Sequence, residues 1–246
     1  MFVPTEHRDP ARLHTLGTAG KHRATARMQL EIGIAGRVDY QQALVWQEGL
    51  VARRLAGGRD ALVLLQHPPV YTLGRGGDPR HLGGVATTGV PVVRAQRGGQ
   101  ATYHGPGQLV GYPVLGLRDI RPDVGWYVRA LEEVLIGVVG DLGVPAGRRP
   151  GLPGVWCDGR KIASVGVAIR RWVTWHGFAL NVGKDLSGFA AITPCGITGV
   201  EMTSIEGEGG PGDVRAVIPF VVSRFVSVFG YAGWRSLEES LPEATA

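Results

Sequence analysis

Cysteine is scarce: only Cys157 and Cys195 occur in 246 residues. Two cysteines in a chain of this length do not make a disulfide framework, so a reducing cytosol is the default compartment. No His or Cys spacing matches a zinc pattern, so no metal is expected. No apolar run approaches the roughly 18–20 residues that span a bilayer, and the N-terminus has no apolar signal core. Membrane insertion and secretion therefore lack support. Clustered Lys/Arg runs are missing too. The net charge of +5 and pI near 9.6 suit an acidic partner without indicating nucleic acid. Neither Gly105-Pro106-Gly107 nor Gly74-Arg75-Gly76-Gly77 has the lysine and spacing of a Rossmann or Walker fingerprint.

What the chain has is glycine, 39 residues of it, in an otherwise ordinary globular composition of 44% hydrophobic and 19% charged residues. That implies many turns and close backbone approaches, without a collagen or solenoid period. Residues 1–27 are polar and irregular and are expected to be a flexible extension; Met28 is an alternative start. Residues 28–234 are expected to form a single catalytic domain, and 235–246 a frayed tail. Within the domain, Asp39 is placed to cap a helix over 40–56, with Leu44, Val51 and Leu55 on one face. Asp123 caps another, with Tyr127, Val128, Leu131, Leu135 and Val138 at helical spacing. Asp213 precedes a third, to Phe229. Strands are expected over 29–35, 61–66, 109–115, 161–169 and 172–181, with Asp158-Gly159 as a hairpin turn. Strands outnumber helices and hairpins outnumber βαβ units, which predicts an α+β fold (α/β in the broad sense) with a mixed, mainly antiparallel sheet and packed helices.

The stretch from Arg97 to Gln108, RGGQATYHGPGQ, concentrates donors and acceptors around paired glycines between apolar flanks. Glycine lets the backbone approach a ligand closely, so this segment is expected to be a binding loop rather than a solvated hairpin. Cys195 lies in Pro194-Cys195-Gly196, a turn that leaves a sulfur accessible; Cys157, beside Trp156 in a strand, fits a buried structural thiol. A thiol with an ordinary pKa near ~8.5 needs a cation or base to ionise at neutral pH. Alternation places Lys161 on the apolar face of its strand, where it either snorkels from the hairpin end, the commoner outcome, or is desolvated. In the second case it could hold a thiolate and move protons. His67, His104 and His176 are further participants, each more in keeping with a structural histidine when taken singly.

Five co-linear stretches then match one family: His67-Pro68-Pro69-Val70-Tyr71-Thr72, Arg97 to Pro113, Gly159 to Gly166, His176-Gly177-Phe178-Ala179-Leu180-Asn181 and Pro194-Cys195-Gly196. The chain from about 29 to 229 resembles the lipoyl(octanoyl) transferases, the octanoyl-acyl carrier protein:protein N-octanoyltransferases. The resemblance implies a biotin/lipoate protein ligase-like fold and a Cys195/Lys161 dyad. It implies substrate contacts from Arg97, Gly98, Gly99, Gln100, Ala101, Thr102, Tyr103 and His104, from Ser164, Val165 and Gly166, and from Gly177, Phe178 and Ala179. His67 would support them. Oxyanion donors are sought among backbone N–H groups near Cys195 and in the Gly98-Gly99 loop. The implied reaction, the first step of endogenous lipoate synthesis, needs no ATP and no metal. The implied partners are octanoyl-acyl carrier protein, lipoyl domains of 2-oxoacid dehydrogenase complexes and the glycine cleavage H protein, in the cytoplasm, with no nucleic acid and no membrane. Two alternatives remain open: an ATP-dependent lipoate or biotin protein ligase, and a basic protein that binds phosphate or nucleic acid.

Overall fold

The sequence Ala61-Leu62-Val63-Leu64-Leu65-Gln66 is apolar without alternation, as suits a strand covered on both faces. In the computed structural model, which describes residues 29–196 and 199–237, it lies well inside the main sheet. The strands in chain order are β1 (Leu30–Arg37), β2 (Ala61–Gln66), β3 (Val70–Leu73), β4 (Val92–Arg94), β5 (Ala101–His104) and β6 (Gln108–Val114). They continue as β7 (Gly147–Arg149), β8 (Leu152–Cys157), β9 (Arg160–Arg170), β10 (Val173–Asn181) and β11 (Trp234–Ser236). The helices are α1 (Tyr40–Leu55), α2 (Leu117–Ile120), α3 (Val124–Asp141) and α4 (Val214–Phe229).

Eight strands form one sheet in the order β11-β1-β2-β6-β10-β9-β8-β7, and β4-β3-β5 form a smaller one. Only the β11–β1 and β1–β2 pairs of the large sheet are parallel; the others are antiparallel. The mixed, mainly antiparallel α+β expectation holds. Side chains of β2 alternate between two cores: Leu62 and Leu64 join α3 and α4, while Ala61, Val63 and Leu65 join α1. The helices thus cover both faces. Period-2 alternation of the Cβ directions is what splits the run.

The three aspartates cap as expected. Asp39 accepts from the Gln41 and Gln42 N–H groups, Asp123 from Trp126 and Asp213 from Arg215, each satisfying a donor that the first helical turn leaves open. The buried stripe of α1 differs from the expected Leu44, Val51 and Leu55: it is Ala43, Trp46, Leu50 and Val51. Asp158 (φ 44°) and Gly159 (φ 79°) make the expected two-residue turn between β8 and β9.

Two further readings change. Residues 235 and 236, assigned to a frayed tail, belong to β11, which pairs with β1 while Arg235 reaches the buried Glu31 carboxylate. The expected extension 1–27, the alternative start Met28 and residues 238–246 lie outside the described residues. Leu64, fully buried between β1 and β6, gives a test of the core. Leu64→Ala is expected to lower unfolding free energy by about 2–5 kcal/mol in denaturant titration.

Candidate active site

A cavity of about 360 Å³ opens between the small sheet, β9, β10 and the start of β8, a size typical of small-ligand sites. Its roof is the glycine loop. Gly98 N–H donates to Val167 O at 2.9 Å, which ties the loop to β9. A Cβ at Gly74 would stand 2.1 Å from Gly99 O, and one at Gly166 would stand 3.1 Å from Arg97 Cδ. Glycine at these two points is what lets three backbone segments meet.

Arg97 holds the loop from inside. Its guanidinium is buried and donates to Thr72 O (2.8 Å), Thr72 Oγ1 (2.6 Å), Gly98 O (3.0 Å) and Gln100 O (3.0 Å). The planar fork suits several fixed acceptors at once. These contacts make Arg97 a staple of the loop, while it also lines the cavity as a substrate-contacting residue would. Gln100 works similarly: Nε2 donates to Gly76 O, and Oε1 accepts from Asp78 N–H and from His81 Nδ1. It thereby joins the glycine loop to the segment 76–81.

Thirteen of the fourteen expected substrate residues line this one cavity: Arg97 to Thr102, His104, Ser164 to Gly166, and Gly177 to Ala179. Tyr103 does not. Alternation on β5 turns its ring away onto Tyr71 and Phe189. His67 also stands outside the lining. It donates from Nδ1 to Val38 O, so Nε2 accepts from Tyr112 OH, both at 2.7 Å. Its link to the cavity runs through Tyr112, which does line it. The Phe178 ring fits because its partner Gly111 has no side chain; a Cβ there would lie 2.2 Å from Phe178 Cζ.

Lys161 does not snorkel. It is 3% exposed, its Nζ donates to Pro153 O at 2.7 Å, and it sits 5.2 Å from the Trp156 ring centre on the cavity wall. A register shift between Val155 and Trp156, which face Ala163 and Lys161, interrupts the strict alternation expected here. The Cys195 side chain lies outside the described residues, and with it the Cys195–Lys161 separation. Its backbone belongs to the turn Pro194–Gly196, with Gly196 at φ 70°. That turn abuts the loop: a Cβ on Gly196 would come 2.7 Å from His81 Cε1 and 3.1 Å from Gln100 Cγ. Cys157 is buried, and burial, with the Glu208 carboxylate, pushes its thiol up to about 11, which suits a structural residue. The Gly98 N–H, bonded to Val167 O, is already committed and is not an oxyanion donor.

Sequence reasoning missed Tyr40, Val110, Tyr112, Val128, Leu152 and Pro153 in the lining. They come from α1, β6, α3 and β8; Val110 and Tyr112 fall inside the matched stretch Arg97 to Pro113, which was the available signal. His176, named as a participant but not as a site residue, also lines the cavity, at φ 52°. Desolvation, with the Arg97 charge beside it, holds His176 down to about 3. Desolvation also lowers His104 to about 3, with smaller contributions from His67 and Arg97. His67 falls to about 4 for the same leading reason, against its bond to Val38. Gln108 Nε2 donates to Tyr103 O and Asn181 Oδ1, so Oε1 faces His104 and the proton sits on His104 Nδ1. The cavity is therefore apolar walls interrupted by neutral imidazoles and one buried amine, an environment that accepts an acyl chain and can handle a proton at one end.

Comparison with known proteins agrees with that chemistry. The family model for the lipoyl protein ligase A/B catalytic domain matches residues 39–226. The octanoyltransferase of Gloeobacter violaceus is 50% identical over 197 residues, covering 79% of this chain and 88% of that protein. The octanoyltransferase of Mycobacterium leprae is 45% identical, covering 86% and 94%. Among solved structures, a bipartite lipoate protein ligase from Thermoplasma acidophilum superposes with a TM-score of 0.70 at 18% identity, covering 87% of this chain and 89% of that one. Lipoate-protein ligase A bound with ATP gives 0.68 at 18%, covering 87% and 91%. These two likenesses show the fold. The chain belongs to the lipoyl protein ligase A/B catalytic domain family. Its curated relatives at 43–51% identity carry the octanoyltransferase name, and it is an acyltransferase.

Two outcomes test the site. Arg97→Ala strips donors from Thr72, Gly98 and Gln100 and is expected to cost roughly 2–4 kcal/mol in thermal or chemical unfolding. The histidines set a pH dependence. Their folded pKa values lie below the unfolded value near ~6.5, so between the two the unfolded state binds more protons and stability falls as pH drops. Each of His67, His104 and His176 is expected to contribute a slope of up to roughly 1.4 kcal/mol per pH unit below pH ~6.5. Denaturant titrations at pH 7 and pH 5.5 measure it, and stability that does not fall would show the imidazoles to be solvated.

Proposed function

We propose that the chain transfers an octanoyl group from octanoyl-acyl carrier protein to the lysine amine of a lipoyl domain, through a thioester on Cys195. The observation that carries this reading is the largely apolar cavity with the buried Lys161 amine in its wall and the Pro194–Gly196 turn against its roof. The octanoyltransferase relatives point the same way.

In the first half-reaction Lys161 takes the Cys195 proton, and the thiolate attacks the acyl carbonyl. The new C–S bond replaces the one to the phosphopantetheine arm, whose thiolate leaves and takes that proton from Lys161, which returns the amine to its neutral form. In the second, the lipoyl-domain amine attacks the acyl-enzyme, the C–N bond forms, the Cys195 sulfur leaves, and Lys161 receives the amine proton. Thioester exchange is nearly balanced and amide formation is downhill, so neither ATP nor a metal is needed. Residues 28–234 serve as one catalytic domain with the sequence beyond either end as extensions, and the enzyme works in the cytoplasm. The net charge of +5 favours docking of acidic carrier and lipoyl domains such as those of 2-oxoacid dehydrogenase complexes and the H protein.

Intact-mass spectrometry after mixing with octanoyl-carrier protein tests the reading. The enzyme is expected to gain one octanoyl group without ATP, and Cys195→Ala to gain none, whereas Cys157→Ser gains it as the parent does. A requirement for ATP would instead identify a ligase, and an inert Cys195 with salt-sensitive binding to random DNA a nucleic-acid protein.

A further inference from the structure

Glu132 on α3 is buried at 6% exposure. Its Oε1 accepts from Gly154 N–H at 2.9 Å. The carbonyl of that same peptide unit, Pro153 O, accepts from Lys161 Nζ at 2.7 Å. The peptide is trans, so its N–H and C=O point in opposite directions. Carboxylate, peptide and amine therefore stand in a row. A carboxylate on the N–H polarises the amide and makes its carbonyl a stronger acceptor, since hydrogen bonds in series reinforce one another.

The backbone is shaped for this row. Gly154 has φ 121°, a conformation open to glycine. A Cβ there would lie 2.6 Å from Lys161 Cε and 2.4 Å from Ala163 O. The surrounding charges are Arg148, which donates to Glu132 Oε2 at 3.1 Å and to Glu133 at 2.8 Å, and Arg149, over the Trp156 ring. Arg148 is the outer partner, with its side chain 41% exposed. Glu132 itself does not line the cavity.

We propose that Glu132 is a positioning residue for Lys161, acting through the Pro153–Gly154 peptide to fix where the amine points in the cavity. This rests on Lys161 as the proton carrier of the reading above. Losing the carboxylate frees the peptide to rotate and takes the Lys161 amine out of its productive position. Losing Arg148 leaves the row intact.

The test compares Glu132→Ala, Glu132→Met, Glu132→Gln, Arg148→Ala and Lys161→Ala in the full chain. It reads kcat and KM for the lipoyl domain, the pH profile of Cys195 alkylation in a Cys157→Ser background, and melting temperature. Glu132→Ala and the similarly sized Glu132→Met are expected to lower kcat about 10- to 100-fold, the cost of a small displacement of a reacting group. KM stays unchanged, and alkylation shifts to higher pH. Glu132→Gln, whose amide oxygen still accepts from Gly154, is expected to recover most of the loss, and Arg148→Ala to turn over as the parent does. A folded Glu132→Met with parental kcat and alkylation profile, beside an inactive Lys161→Ala, overturns this inference and leaves the dyad standing. Equal losses in Arg148→Ala and Glu132→Ala would make the role merely structural and also overturn it. An active Lys161→Ala brings down the dyad and this inference together.

Discussion

The hydrogen bond from Gly98 N–H to Val167 O is the contact on which the site depends. It is the point where the glycine loop, which leads into the small sheet, is fastened to β9 of the large one. The bond is only one backbone pair, so the loop must already be rigid when it arrives. Arg97 provides that rigidity by gathering acceptors of Thr72, Gly98 and Gln100 around one guanidinium. Burying a cation costs heavily unless its donors are engaged, which makes the loop's compact form far better than any form that leaves them idle.

Glycine acts here by leaving room as well as by turning. Gly111 yields its side-chain space to Phe178, and a Cβ on Gly177 would stand 2.2 Å from Gly111 O. β6 and β10 consequently leave room beside Val110, Tyr112 and His176 for the Phe178 ring and for two close-lying backbones. Gly74 and Gly166 do the same under the roof. The composition that first marked this chain as rich in turns is, at the site, a set of close approaches.

Much of this was legible beforehand. The aspartate caps, the periodic stripe of α3 and the Asp158-Gly159 turn are local, and each states its own geometry. The glycine loop could be located because its donors crowd into a few residues, and the family resemblance brought the β9 and β10 segments to the same place. What those donors do was not legible. Arg97 and Gln100 bind their own loop, and Tyr103 faces away, because their partners Thr72, Gly76 and Phe189 lie far off in sequence. Lys161 left two outcomes open for a related reason: from a hairpin end an amine can reach water, and here it turns inward to the Pro153 carbonyl. β11 escaped notice because three residues, Trp234 to Ser236, carry no period, and their pairing with β1 spans the whole domain.

Scarcity of lysine gives the buried amine its meaning. The sequence has only three, Lys21, Lys161 and Lys184, against a large complement of arginine. Arginine stays protonated in proteins, so it can anchor a loop, as Arg97 does, but cannot exchange a proton near neutral pH. An ammonium can, once water is kept from it. The histidines, the usual proton carriers, are held neutral around the cavity by desolvation, and the Arg97 charge lowers His104 and His176 further. Among the described residues lining the cavity, Lys161 is the only lysine, and it is the group that the proposed mechanism uses as its proton carrier. The proposed chemistry thus separates the fixed cation that closes the roof from the amine on the far wall.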